Sequence, residues 1–234
     1  MDYINGKAFS LYNAQVSEKT ISTTDFNVSC EWNRNSLTPF IVTNYPTFKS
    51  ISLKILFKNQ NRDLIEQDIS NFMAEMNGEC DFKFNNLSHN YHCFLSGTGT
   101  EESIGIYRWM YLNLSLVGYE YGNEITKEFA GSISNINIVG NSDTPCILEI
   151  TPTQAMIDLT ITGFTKKPFK VNNLAIDETV IIDGEKQIIT VNGENKFADT
   201  EDMWEFPKLK SGDNNISFDK TYFIGKIKYK PRYK

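Results

Sequence analysis

The stretch 179–196, TVIIDGEKQIITVNGENK, decides the fold of this chain. Two turn signals, Asp183-Gly184 and Asn192-Gly193, separate short runs rich in valine, isoleucine and threonine. Asp-Gly and Asn-Gly tolerate the positive φ angles of tight reversals between antiparallel strands. The stretch therefore predicts a β-meander, and it contains nothing that resembles an active site.

The residues around this meander extend the same pattern over the second half of the chain. Strand-like runs occur at 136–139, 147–151 and 156–162, so about seven or eight short strands are expected, at a spacing typical of a β-sandwich. Polar and glycine-containing sequence from Gly118 to Gly131 indicates a domain boundary near residue 130. We therefore expect two domains, 1–130 and 131–234.

In the first half of the chain, apolar residues also recur at every second position. Two sets show the alternation: Phe26, Val28, Cys30 and Trp32, then Ile51, Leu53, Ile55 and Phe57. Successive side chains of a strand point to opposite faces of the sheet. Both sets therefore predict strands with one buried face, in a β-sandwich or barrel-like N-terminal domain.

One segment, residues 63–77, has helical rather than strand periodicity. Its apolar residues are Ile65, Ile69, Phe72, Met73 and Met76. Asp63 and Glu66 have the spacing of a capping box, and Gly78 is a suitable residue after the helix end. The segment predicts one helix that covers a sheet with its apolar side.

Composition excludes several classes of protein. The 234 residues are 40% hydrophobic and 13% aromatic, which excludes an intrinsically disordered chain. The net charge of −6 argues against nucleic-acid binding as the main activity, because that activity usually needs a basic face. The N-terminus lacks the pattern of a signal peptide, and no apolar run is long enough for a membrane helix.

The last residues reverse this acidic balance. Residues 220–234 hold six basic residues and no acidic residue, with lysines alternating with Ile227 and Tyr229. This pattern predicts a terminal edge strand whose lysines discourage unwanted strand addition.

Four cysteines and two histidines are the possible metal ligands. The cysteines lack a CxxC pair, so we expect free thiols in a protein made in a reducing cytoplasm. A zinc site would have to combine His89, His92 and Cys93, with Cys80 as an optional fourth ligand. Adjacent residues of a strand point to opposite faces, so His92 and Cys93 could not easily share one ion. No metal site is predicted.

No catalytic motif is present either. The acidic pairs Glu101-Glu102 and Glu201-Asp202 lie in turn-like polar contexts, and no set of catalytic roles can be assembled around them. We predict that the protein is not an enzyme and has no catalytic residue and no cofactor. A metal-dependent hydrolase remains an alternative. Trp204 and Phe206 could form a sugar-binding platform, but a role in the core is favoured because aromatic residues dominate core burial.

The order of these motifs resembles the distal tail protein family of the long, flexible-tailed bacteriophages, the siphophages. The matching segments are Pro145–Thr151, the hairpin 180–195, Trp204–Ile216 and Tyr229–Tyr233 in the second half, and Ile51–Phe84, Tyr91–Leu95 and Trp109–Leu112 in the first half. The resemblance covers most of the chain.

The resemblance implies a structural role in the virion tail. It implies a homo-hexameric ring at the distal end of the tail tube, built by the N-terminal domain, with a galectin-like C-terminal β-sandwich facing outward. Such a hub joins the tail tube to the tail-tip and receptor-binding components, is not an enzyme and is made in the host bacterial cytoplasm. Both histidines lie outside the second domain, so no galectin-type sugar cluster is expected. A carbohydrate-binding, lectin-like adhesin remains the alternative.

Charge adds an expectation about the channel of such a ring. Residues 1–130 hold ten basic and fifteen acidic residues, a net charge of −5. Six copies would carry roughly thirty negative charges, which would let DNA pass without sticking and without specific nucleic-acid binding.

Overall fold

The computed structural model describes residues 1–132 and 135–234. The chain divides into two compact units, Met1–Tyr121 and Gly122–Tyr233. The domain boundary near residue 130 stays a prediction. Within the described residues, no helix has the length and apolar character needed to cross a membrane. The mainly β class with a single covering helix is confirmed for the part of the chain that is described.

The first unit is an antiparallel sheet with one α-helix, α1, at Arg62–Ala74. The strands are β1 Tyr3–Ile4, β2 Lys7–Ala8, β3 Ala14–Glu31, β4 Phe40–Lys58, β5 Glu79–Lys83, β6 Asn90–Leu95, β7 Thr100–Ser103 and β8 Trp109–Tyr121. Their order is β2-β1-β5-β6-β8-β4-β3, and β7 pairs with the β8 residues that β6 leaves free. A single 3₁₀ turn occupies Phe9–Tyr12.

The helix begins and ends earlier than predicted. Its N-cap is Asn61, whose side chain accepts a hydrogen bond from the Leu64 backbone nitrogen at 2.9 Å. The predicted capping box of Asp63 and Glu66 is therefore wrong, because Asp63 already lies in the first turn. The helix ends at Ala74, and Gly78 takes a positive φ of 99° outside it.

The N-terminal core forms where the helix meets the sheet. The predicted face of Ile51, Leu53, Ile55 and Phe57 is buried, in agreement with the alternation. On the helix side, Phe72 is fully buried. Its ring makes edge contacts with three aromatic rings, at centroid distances of 5.1 Å to Phe9, 5.5 Å to Tyr12 and 5.7 Å to Phe57.

The second unit is a β-sandwich. Its strands are β9 Ile125–Ala130, β10 Ile136–Ile138, β11 Thr144–Pro152, β12 Met156–Thr162, β13 Phe169–Leu174, β14 Val180–Asp183, β15 Ile188–Val191, β16 Glu194–Asn195, β17 Thr200–Glu201, β18 Lys208–Leu209, β19 Gly212–Asn214, β20 Ser217–Phe218, β21 Phe223–Tyr229 and β22 Arg232–Tyr233. One sheet has the order β16-β15-β14-β11-β21-β9 and the other β17-β13-β12-β20. Buried residues of both sheets, such as Leu148 and Leu159, belong to one core.

The meander around residue 190 forms, but only one of its two turns has the predicted geometry: the positive φ of the loop after β14 lies at Gln187, not at Asp183 or Gly184. Asn192 and Gly193 have φ angles of 51° and 85°, and they form the two-residue turn that pairs Val191 with Glu194. The Asp183 carboxylate accepts hydrogen bonds from two backbone nitrogens of the longer loop that follows β14.

The basic segment near the chain end is not an edge strand, which corrects the prediction. Strand β21 pairs with β11 on one side and with β9 on the other. Its lysines form ion pairs with acidic residues of these neighbours: Lys226 with Glu128 at 2.7 Å, and Lys228 with Glu149. Lysine alternation does not distinguish an edge strand from an inner strand whose neighbours supply the opposite charges.

Candidate assembly surface

Strands β3 and β4 continue beyond the rest of the sheet as a two-stranded hairpin, residues 25–48, which we call the arm. Strand β4 pairs with β8 only from Lys49 to Lys58, whereas its pairing with β3 extends to Glu31 and Phe40. Among the described residues, no third strand pairs with the arm. Because an isolated two-stranded ribbon is at best marginally stable in water, the arm needs a partner surface.

The arm exposes large apolar side chains along its whole length. They are between 47% and 96% exposed and include Phe26, Val28, Trp32, Leu37, Phe40 and Ile41. The expectation that Phe26, Val28, Cys30 and Trp32 face the core is therefore wrong. The alternation identifies an apolar face, but no residue of this unit covers it.

The two faces of the arm differ in polarity. Phe26 stands opposite Pro46, and Cys30 stands opposite Ile41, so these residues share the face that Val28 also occupies. The other face carries more polar pairs, such as Ser29 with Thr43. One face of the arm is therefore suited to burial against another surface.

Charge is sparse on the arm. Within residues 25–48, the charged side chains are Asp25, Glu31 and Arg34. Interface centres are depleted of charged residues, and contiguous exposed apolar patches mark interaction sites. The arm therefore has the character of an interface.

A buried ion pair fixes the base of the arm. Lys49 is 7% exposed, and its Nζ lies 2.5 Å from Oε2 of Glu120 on β8. The other carboxylate oxygen of Glu120 lies 2.5 Å from Nδ1 of His89. Burial opposes ionisation of Glu120, but the hydrogen bonds with Lys49 and His89 outweigh it and lower its pKa. The pair ties β4 to β8 at the point where the arm leaves the sheet.

The residues of the zinc alternative do not converge. Cys80 and Cys93 stand opposite each other on β5 and β6 and are buried in the core, where burial raises the pKa of the Cys80 thiol to about 12. His92, next to Cys93, is partly buried, and its Nδ1 lies 2.9 Å from Oδ1 of Asp81. In residues 1–132 and 135–234, no cluster of three or more histidine, cysteine or acidic side chains could hold a metal ion.

This histidine gives a pH prediction. The hydrogen bond with Asp81 raises the pKa of His92, with further support from Glu79 and against the effect of burial. A raised folded-state pKa means that the protonated His92 stabilises the fold below its unfolded pKa of about 6.5, and that this contribution is lost as the pH rises through the folded-state pKa. We expect His92→Gln to lower the melting temperature more at pH 5.5 than at pH 8.5. An equal loss at both pH values would contradict the assignment.

The other predicted residues are dispersed. Glu102 pairs with Lys54 at 3.0 Å, and Glu201 accepts a hydrogen bond from Asn172 at 2.8 Å. These two members of the acidic pairs are thus held by side chains of their own sheets. That no catalytic residue exists stays a prediction.

The core role expected for Trp204 is wrong. Trp204 is 82% exposed, whereas Phe206 is half-buried against the core and stacks on Phe197 at a centroid distance of 6.2 Å. Trp204 follows Asp202, which has a positive φ of 57°, and the Trp204 backbone nitrogen donates to the Asp202 carbonyl oxygen at 3.1 Å. This bend presents the indole to solvent.

With both units described, the chain can be compared with known proteins. Residues 139–233 match the family model described as siphovirus-type tail component, C-terminal domain. The sequence-based resemblance to the siphophage distal tail proteins is thereby confirmed.

Solved structures extend the likeness to the whole chain. The crystal structure of the phage SPP1 Dit (gp 19.1) protein, described as a paradigm of the hub adsorption apparatus in phages that infect Gram-positive bacteria, has a TM-score of 0.81 at 11% identity. The match covers 100% of this chain and 98% of that chain. The structures of the phage p2 baseplate in its activated conformation, with Sr and with Ca, give TM-scores of 0.55 and 0.53 at 9% identity, each match covering 92% of this chain and 90% of that chain. At this level of identity, the likeness establishes a shared fold. The search of curated proteins found no match.

Proposed function

We propose that this protein is a structural hub of a phage tail, placed at the distal end of the tail tube. The tail component domain at 139–233 and the Dit fold support a place in the tail. The observation that carries the proposal is the arm, because an apolar hairpin without cover in its own chain is suited to holding another subunit.

In this proposal the hub is a ring of six copies, and the first unit builds the ring. The family resemblance supplies the number six. The arm supplies the contact: its apolar face is buried against the next copy, and a contact repeated head to tail closes a ring when the rotation is right. In this arrangement the hub joins the tail tube to the tail-tip and receptor-binding components. The negative charge of residues 1–130 lets DNA pass through the channel.

This role is structural and needs no cofactor, metal ion or chemical step. The second domain, which we propose to be residues 131–234, serves as the outward-facing module. The chain acts in the virion tail after synthesis in the host bacterial cytoplasm.

The mass of the protein in solution tests the ring. Size-exclusion chromatography with light scattering should give about six times the 26.8 kDa of one chain when the protein is concentrated, alone or with a tail-tube partner. A protein that remains a monomer under both conditions would contradict the hub proposal. Negative-stain images of the same fraction should show rings with a central channel.

A further inference from the structure

The second unit contains an open cleft of about 500 Å³, which we call the Trp204 cleft. Its lining includes Gln187, Trp204, Glu205, Lys208 and Arg232. Trp204 and Glu205 also line a neighbouring recess of about 200 Å³. A volume of about 500 Å³ falls in the usual range of small-molecule clefts.

The wall that carries Trp204 is firmly held. The Pro207 carbonyl oxygen accepts a hydrogen bond from the Cys146 backbone nitrogen at 3.2 Å, and the Lys208 backbone nitrogen donates to Phe164 at 3.2 Å. Gly184 permits the close approach, because a Cβ at this position would lie 2.0 Å from the Pro207 oxygen. The indole is therefore exposed on an anchored segment, and a ligand would not have to order it.

The charges around the cleft balance in pairs. Three ion pairs occur: Lys208 with Asp143 at 3.5 Å, Arg232 with Glu185 at 3.2 Å and Lys166 with Glu205 at 3.5 Å. A site with matched charges offers hydrogen bonds of both polarities without selecting a charged ligand. This balance favours a neutral, polar ligand over an anion or a cation.

One acceptor of a residue that lines the cleft lacks a partner. Lys166 contacts Oε1 of Glu205, whereas Oε2 of Glu205 is buried and has no hydrogen-bond partner among the described residues. A buried acceptor without a hydrogen bond is unfavourable, so a ligand that turns the Glu205 carboxylate toward the cleft and donates a hydroxyl to Oε2 would satisfy it. The acceptor stands next to the exposed indole of Trp204 in the sequence.

We propose that the Trp204 cleft binds a neutral saccharide. A pyranose ring presents an apolar C–H face, which stacks on the indole of Trp204, and hydroxyls at its rim, which can donate to Glu205 and accept from Gln187 and Arg232. An exposed aromatic face beside charge-balanced polar groups fits this chemistry. The site goes beyond the hub function and does not depend on ring formation.

The test begins with an array that carries neutral oligosaccharides of glucose, galactose, rhamnose and N-acetylglucosamine beside sialylated and sulfated oligosaccharides. The full chain should bind one or more neutral glycans. Calorimetric titration with the best-bound glycan should then show that Trp204→Ala weakens binding by about ten-fold or more, because the stacking surface is removed. Glu205→Gln should also weaken binding, because its amide replaces the unpartnered acceptor.

Tyr222→Ala is the matched control, since Tyr222 is an exposed aromatic residue of the same unit that does not line the cleft. It should leave glycan affinity unchanged. Absence of neutral-glycan binding, a preference for anionic glycans, or unchanged affinity in Trp204→Ala would each overturn the proposal. Light scattering should give the same oligomer mass for the Trp204→Ala protein as for the wild type. Failure of the saccharide proposal can therefore be distinguished from failure of the hub proposal.

Discussion

Replacing Phe26 and Ile41 together by serine should abolish ring formation while leaving the monomer folded. Both residues lie on the apolar face of the arm and are more than half exposed in the single chain. Burying each side chain in an interface contributes about 2 kcal/mol, so the double change should weaken each contact by about 4 kcal/mol, or roughly a thousand-fold. Light scattering should show the monomer at concentrations where the wild type gives the ring.

A matched control separates the arm from general surface apolarity. Ile157→Ser removes an aliphatic side chain that is 85% exposed, but in the second unit. It should leave the ring mass unchanged, and neither variant should lower the melting temperature. Rings formed by the Phe26→Ser, Ile41→Ser protein at wild-type concentration would show that the arm does not hold the next copy.

Phe72→Ala should produce the largest loss of stability among single changes in the first unit. The ring of Phe72 is fully buried and touches three aromatic rings at once, so its removal leaves a cavity lined by Phe9, Tyr12 and Phe57. The expected loss in the free energy of unfolding is about 3–5 kcal/mol. Urea denaturation followed by circular dichroism measures it.

The control for this prediction is Phe72→Leu, which keeps most of the apolar volume and should cost clearly less. Leu64→Ala, at a partly exposed position of the same helix, should cost little. A loss below about 1 kcal/mol for Phe72→Ala would mean that the helix is not an integral part of the core.

Local patterns predicted most of the fold because they depend on neighbouring residues. The alternation from Ile51 to Phe57 and the Asn192-Gly193 turn are both confirmed. The helix limits were less accurate, because Asn61 and Asp63 can each cap a helix and only the packing of the turn decides between them. The position of β21 inside its sheet depends on distant strands, which the sequence pattern does not reveal.

The candidate assembly surface was visible in the sequence but was interpreted wrongly. The alternation from Phe26 to Trp32 predicts an apolar face, and the structure shows that face exposed. Period two specifies which side of a strand is apolar, but not whether the covering surface comes from the same chain or from another one. The prediction for Trp204 was wrong as well, since a residue expected in the core is exposed. A single aromatic residue has no periodicity, so its exposure could not be predicted.

The continuity of β4 has a mechanical consequence. This strand runs from the middle of the first sheet, where it is paired on both sides, directly into the exposed hairpin. A pull along β4 would therefore load many backbone hydrogen bonds in parallel, with the Lys49–Glu120 pair beside the junction. Force applied at the tip would be spread over the part of β4 that is paired on both sides and would not unzip the strand one bond at a time.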